Sequence, residues 1–286
     1  MNDAGHAAAS ARLFEKQPYR ELYIYYCAGR LARDIAIDDD AFIGNWEEDD
    51  FSFLFFSAPA GRRIADLLAT QTHMRLLDQF QMTYDQWHGE PLQVLNIGGF
   101  AVVPPWLQAP KALEADRQIL LDPGVVFGTG THPTTGDCLI ALRQVFDRGR
   151  IETVLDLGTG TGLLALAAAR LGAQRVVAVD LNMLAVRTAK RNIRLNQLED
   201  RILAVRGLAE NFIDFPSDLV VSNIHYDVMK RLLASNSFLH TKWFILSGLL
   251  HSQAQAILAL LAQQPVKILQ KWARDGIWHT FLGMAC

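Results

Sequence analysis

At 286 residues, half of them apolar, the chain is long enough for one large domain or a main domain with a smaller companion, and too apolar for an intrinsically disordered protein. Its 27 Lys and Arg are outnumbered by 30 Asp and Glu, so no global positive field exists to hold a phosphate backbone, and direct nucleic-acid binding is not expected. The three cysteines, Cys27, Cys138 and Cys286, are odd in number and far apart, which fits neither a disulfide framework nor a metal site. The N-terminus lacks a basic stretch followed by an apolar one, and no run approaches the ~18 apolar residues of a membrane span, so a cytoplasmic protein with no membrane partner is expected.

Residues 1–20, rich in Ala and polar residues without an apolar period, read as a flexible arm. The segment ELYIYYCAGRLARDIAI from Glu21 fits a strand and a helix equally. The aromatic run in WEEDDFSFLFFSAP reads as a strand, and Ile64, Leu67, Leu68 and Leu76 at helical spacing predict an amphipathic helix after it. The acidic run Glu47-Glu48-Asp49-Asp50 reads as a solvated face that would also attract a lysine-rich protein. PLQVLNIGGFAVVPPW predicts two short strands around Gly98-Gly99, closed by prolines. These elements define a small α+β domain over residues 21–105, followed by a linker over 106–120.

From Thr153 the pattern changes to βαβ units, the signature of a parallel sheet. TVLDL, RVVAVDL, RILAVR, DLVVSN and WFILSG read as strands buried on both faces, with LLALAAARLG and MLAVRTAKRNIRLN as helices between them. The chain ends in a hairpin around Asp275-Gly276. Trp243, Trp272 and Trp278 are expected in core and sheet-edge packing.

Two segments carry chemistry. Asp156-Leu-Gly158-Thr-Gly160-Thr-Gly162 falls where the first of these strands gives way to a helix, and glycines there let the backbone turn sharply and approach a ligand. The G-x-G-x-G spacing fits a methyltransferase better than the G-x-G-x-x-G of a dinucleotide site. Asp180, at the end of the next strand, is placed to accept the hydroxyls of an adenosine ribose. Asp156 either binds the amino-acid part of a cofactor or fixes the loop. The second segment, Leu121-Asp-Pro-Gly-Val-Val-Phe127-Gly-Thr-Gly-Thr131-His132-Pro-Thr-Thr135, leads into a helix that Pro133 and the threonines start well.

The string DPGVVFGTGTHPTT resembles the signature of the PrmA family, the bacterial methyltransferases of ribosomal large-subunit protein eleven. VLDLGTGTGLLALAAARLGA, VVAVDLN, VVSNI and LSGLLHSQAQAI continue the likeness in order over residues 121–283, whereas the first 80 residues match loosely. The resemblance implies a class I S-adenosylmethionine-dependent fold over residues 121–286, Rossmann-like, with a seven-stranded, mostly parallel sheet. It also implies that the smaller domain recognises a protein substrate, such as a ribosomal protein, in the family's manner. It places cofactor contacts at Thr135, Gly158, Asp180 and Asn223; Phe127, Thr131, His132, Asp156, Gly160, Gly162 and Leu181 belong to the same cofactor-binding segments.

Asn223, His225 and Tyr226 are the candidate catalytic residues, Asn223 as acceptor of a hydrogen bond from the incoming amine. His132 and His225 are candidate proton acceptors as well as loop residues. The family has small or aliphatic residues where this chain has His225-Tyr226, and the resulting N-x-x-Y is similar to the N-P-P-Y of methyltransferases acting on amide or adenine nitrogens. An N-methyltransferase of an amide or small-molecule nitrogen that uses this N-x-x-Y and a non-catalytic cofactor-binding protein are therefore the alternatives. A nicotinamide oxidoreductase would leave the G-x-G-x-G spacing and Asn223 without a purpose.

Overall fold

The computed structural model describes residues 16–32, 35–108 and 117–286. Most of the expected arm, and residues 109–116 of the expected linker, lie outside them. Contacts divide the chain into two units: Met1–Gln93 with Asn182–Leu184, and Val94–Leu181 with Ala185–Cys286.

The first unit contains β1 (Glu21–Ala28), β2 (Phe42–Glu48), β3 (Phe51–Phe56), α1 (Gly61–Thr70), β4 (Arg75–Thr83) and the short α2 (Tyr84–Trp87). Its antiparallel sheet has the order β2-β3-β1-β4. The segment that fitted strand and helix equally is thus a strand, flanked on both sides by partners. Ile64 of α1 packs with Tyr25, Cys27, Leu54 and Phe56 of the sheet. The helical spacing that extended to Leu76 is corrected: α1 ends at Thr70, and Leu76 sits on β4 opposite Cys27. Pairing with the free edge of β1 outweighs the local helical spacing there.

The second unit begins with a three-stranded sheet of β5 (Leu95–Ile97), β6 (Phe100–Val103) and β7 (Gln118–Leu120). The expected pair of strands around Gly98-Gly99 is present. Gln118–Leu120, expected in the linker, is instead a strand parallel to β6, so the contact boundary falls at 93/94 rather than after 105.

The rest of this unit runs α3 (Pro133–Phe146), β8 (Thr153–Leu157), α4 (Leu163–Arg170), β9 (Arg175–Asp180), α5 (Met183–Leu195), β10 (Ile202–Arg206), β11 (Leu219–Asn223), α6 (Tyr226–Ala234), β12 (Trp243–Leu250), α7 (His251–Leu261), β13 (Val266–Arg274) and β14 (Trp278–Ala285). The sheet order is β10-β9-β8-β11-β12-β14-β13, with β14 alone reversed. Alternation along the strands feeds two cores: Val154 and Val221 pack with residues of α3, α4 and α5, while Leu155, Leu157 and Val220 pack with those of α6 and α7. β8, β9, β11 and β12 are buried on both faces as read, whereas β10 corrects that reading: it lies at the sheet edge and leaves Leu203 60% exposed.

The expected hairpin turns at Asp275 and Gly276, both at positive φ. Trp243 is in the core and Trp272 packs against it from the edge strand. Trp278 departs from expectation, since its ring meets His132 with centroids 4.7 Å apart. The strand order reverses at β8, and such a switch point opens a crevice at the carboxyl ends of β8 and β11.

Candidate active site

The turn after β8 is shaped by what surrounds it. At Gly158, φ is +76° and a Cβ would lie 1.8 Å from Ile224 Cγ2; at Gly160, φ is +55° and a Cβ would lie 2.5 Å from the Phe127 carbonyl oxygen. Side chains are therefore excluded at both positions. Asp156, buried near the end of β8, accepts the Thr159 hydroxyl at 2.6 Å. Burial pushes its pKa up to about 7, against the hydrogen bonds from Thr159 and the Ala165 amide.

Asp180 ends β9, and its Oδ2 accepts the Gly160 amide at 3.0 Å, so this carboxylate faces the glycine turn. β10 ends in register beside it, with Arg206 opposite Asp180 and the Gly207 amide donating to the Asp180 carbonyl at 3.0 Å. Beyond these two strand ends stand Leu181, 58% exposed, and Leu208, 46% exposed. Leu208 was not singled out in the sequence. Its signal was the parallel register that makes Gly207-Leu208 the counterpart of Leu181.

The threonine-rich loop is tied to the glycine turn. Thr161 donates its amide to the Phe127 carbonyl at 3.2 Å and its hydroxyl to the Gly128 carbonyl at 2.7 Å. That leaves the Phe127 side chain 57% exposed. Thr131 is exposed, its hydroxyl 2.7 Å from that of Thr129. His132 caps α3, with Pro133 as the first helical residue. Burial lowers the pKa of His132, whose ring lies between Phe127 and Trp278.

At the end of β11, Asn223 Nδ2 donates to Thr134 Oγ1 at 3.2 Å, bridging the sheet and the first turn of α3. His225 caps α6 with its side chain 74% exposed and its Nδ1 3.6 Å from Asp227 Oδ2. Tyr226, the first residue of α6, is partly buried against the core on the α6–α7 face. The structure thus gathers Phe127, Asp156, the glycine turn, Asp180 and Asn223 at one sheet edge. It adds Thr134, Thr161 and Leu208, which the sequence did not announce.

Two observations fit a nucleoside cofactor with an amino-acid tail. The hydroxyl of Thr135, in the first turn of α3, is buried without a hydrogen-bond partner, and exposed apolar side chains follow two adjacent strand ends beside a carboxylate. No helix among the described residues is long and apolar enough to cross a membrane.

The seven-stranded order with a single reversed strand, together with a glycine turn and an acidic residue at successive strand ends, defines a class I methyltransferase. A family model described as ribosomal protein L11 methyltransferase (PrmA) matches residues 68–284, and the chain belongs to that family. It is 34% identical to the ribosomal protein L11 methyltransferase of Lactococcus lactis over 82% of this chain and 79% of that protein. To the protein of that name from a Cyanothece species it is 41% identical, over 61% of each chain. The crystal structure of a ribosomal protein L11 methylase from Lactobacillus delbrueckii subsp. bulgaricus is 30% identical, with a TM-score of 0.57 over 65% of this chain and 95% of that one.

Proposed function

We propose that this methyltransferase uses S-adenosylmethionine to methylate amino groups, a lysine side chain or an N-terminus, of a ribosomal protein in the cytoplasm. The observation that carries the reading is the convergence of the glycine turn, Asp180 and Asn223 at the switch point of the sheet. The names of the relatives support a ribosomal protein as acceptor. The smaller unit is the part that would recognise it.

In this reading Asp180 accepts the ribose hydroxyls, and Leu181 and Leu208 hold the adenine between them. Gly158, Gly160 and Gly162 let the backbone approach the amino-acid part, with Asp156 beneath it and Thr135 offering its unpartnered hydroxyl. Phe127, Thr131 and His132 form the loop along the other side. The bound cofactor supplies a methyl carbon made electrophilic by its sulfonium.

What the chain must do is present a neutral nitrogen in line with that carbon, so positioning is its main contribution. Asn223 Oδ1 accepts an N–H of the amine and thereby aims its lone pair. An amine entering past Phe127, His225 and Tyr226 leaves bulk water, and desolvation favours loss of its proton. That proton passes to solvent.

Calorimetric titration with S-adenosylmethionine tests the cofactor half of the reading. Asp180→Ala is expected to weaken binding about tenfold or more, a loss of about 1.4 kcal/mol. Unchanged affinity would remove Asp180 from the site, and a preference for NAD over S-adenosylmethionine would sink the reading.

A further inference from the structure

We infer that Thr134 and His132 are positioning residues that fix the carboxamide of Asn223 with its oxygen toward the acceptor amine, in the space that Gly248 leaves open. The inference rests on the reading of Asn223 given above. It explains why a threonine and a histidine that touch no reacting atom stand behind it.

The direction of each hydrogen bond follows from counting hydrogens. Asn223 Nδ2 donates to Thr134 Oγ1 at 3.2 Å. The hydroxyl has a single hydrogen of its own, and the nearest acceptor is His132 Nδ1 at 2.7 Å. The Thr134 amide points at the same Nδ1 as part of the helix cap, so that nitrogen must be an acceptor and the ring proton sits on Nε2. The chain of donation therefore runs from Asn223 through Thr134 to His132.

Thr134 is only 1% exposed, so water does not compete for its hydroxyl. With Nδ2 committed inward, Asn223 Oδ1 is turned toward β12. There it meets the backbone at Gly248, whose φ is +82° and where a Cβ would lie 2.8 Å from Oδ1. A glycine at that point keeps the oxygen accessible.

Protonation of His132 reverses the chain. Nδ1 then donates to Thr134 Oγ1, the threonine hydrogen turns toward Asn223, and the carboxamide must rotate to accept it. Nδ2–H is then presented to the amine in place of the oxygen and ties up the lone pair needed for attack. Burial, which lowers the pKa of His132, holds the ring in its accepting form near neutrality.

The groups around the ring leave this balance undisturbed. Phe127 and Trp278 flank it without charge. Asp137 of α3 and Arg274 of β13 are held in their own ion pair. His279 of β14 meets His251 of α7 at 3.2 Å, on the sheet face opposite Trp278.

The test measures kcat at saturating S-adenosylmethionine with ribosomal protein L11 as acceptor, together with cofactor affinity by calorimetry. Thr134→Val is expected to lower kcat about tenfold or more while cofactor affinity stays within about twofold, and Thr134→Ser to restore turnover. For the wild type, log kcat should rise with pH at a slope of about two below the titration of His132 and about one above it, the amine supplying the second proton. His132→Asn, whose side-chain oxygen accepts without titrating, should show a slope of about one throughout.

Wild-type kcat in Thr134→Val alongside lost turnover in Asn223→Ala would overturn the relay and spare the role of Asn223. Identical pH slopes for wild type and His132→Asn would overturn the relay even if the threonine variant fails to fold. Full turnover by Asn223→Ala would overturn the underlying reading, and the relay with it.

Discussion

Asp156 sits where two environments compete. Burial favours its neutral acid and raises its pKa from 3.8 to about 7, whereas a cationic amino group above the glycine turn would favour the anion. Between those two values the folded protein holds a proton that the unfolded chain has released, so stability is full at the acid end and declines as pH rises toward about 7. Urea unfolding of the wild type and Asp156→Asn at about pH 5 and about pH 8 isolates this contribution: the wild type should lose stability over that range relative to the variant. A parallel pH dependence in the two proteins would show that the carboxyl is ionised throughout. Asp156, Asp180 and the glycines were legible in the sequence because a tight backbone turn and a strand end impose residue types locally. Thr134 was not, because its partner Asn223 lies 89 residues away and only the folded sheet brings them together.

Among the elements, α5 holds the threonine-rich loop and the glycine turn together. Asn192, fully buried, accepts the Asp122 amide at 2.9 Å and donates to the carbonyls of Asp122 at 3.0 Å and Thr161 at 2.8 Å. One turn later Asn196 pairs in the same two-way manner with Leu120 of β7. Asn192→Leu would strand three buried backbone groups and is expected to cost about 3 kcal/mol in denaturant unfolding. A loss under about 1 kcal/mol would mean that water or a loop shift satisfies those groups. Nothing in MLAVRTAKRNIRLN marks these asparagines as more than helix interruptions. β7 was invisible for a similar reason: three residues hold too little pattern to be a strand until β6 and Asn196, just past the end of α5, supply partners for their backbone. The parallel strands of the large sheet and the turn at Asp275-Gly276 were readable because their apolar runs and turn residues are complete in themselves.

For the whole molecule, the match to the family begins at residue 68, within α1, so β1 to β3 lie before it. The parallel sheet was legible from the βαβ alternation; the way the smaller unit selects a substrate was not, since selection depends on the surface of a partner. A net charge of −3 gives no reason to look for that partner among bare nucleic acids. The central claim is transfer of a methyl group to an amino group of a ribosomal protein. Its most direct test is incubation of the purified protein with methyl-labelled S-adenosylmethionine and ribosomal proteins lacking this modification, followed by mass spectrometry of the labelled band. The account predicts label on lysine or N-terminal amino groups of a single ribosomal protein, lost in Asp180→Ala; cofactor binding with every ribosomal protein unlabelled would contradict it.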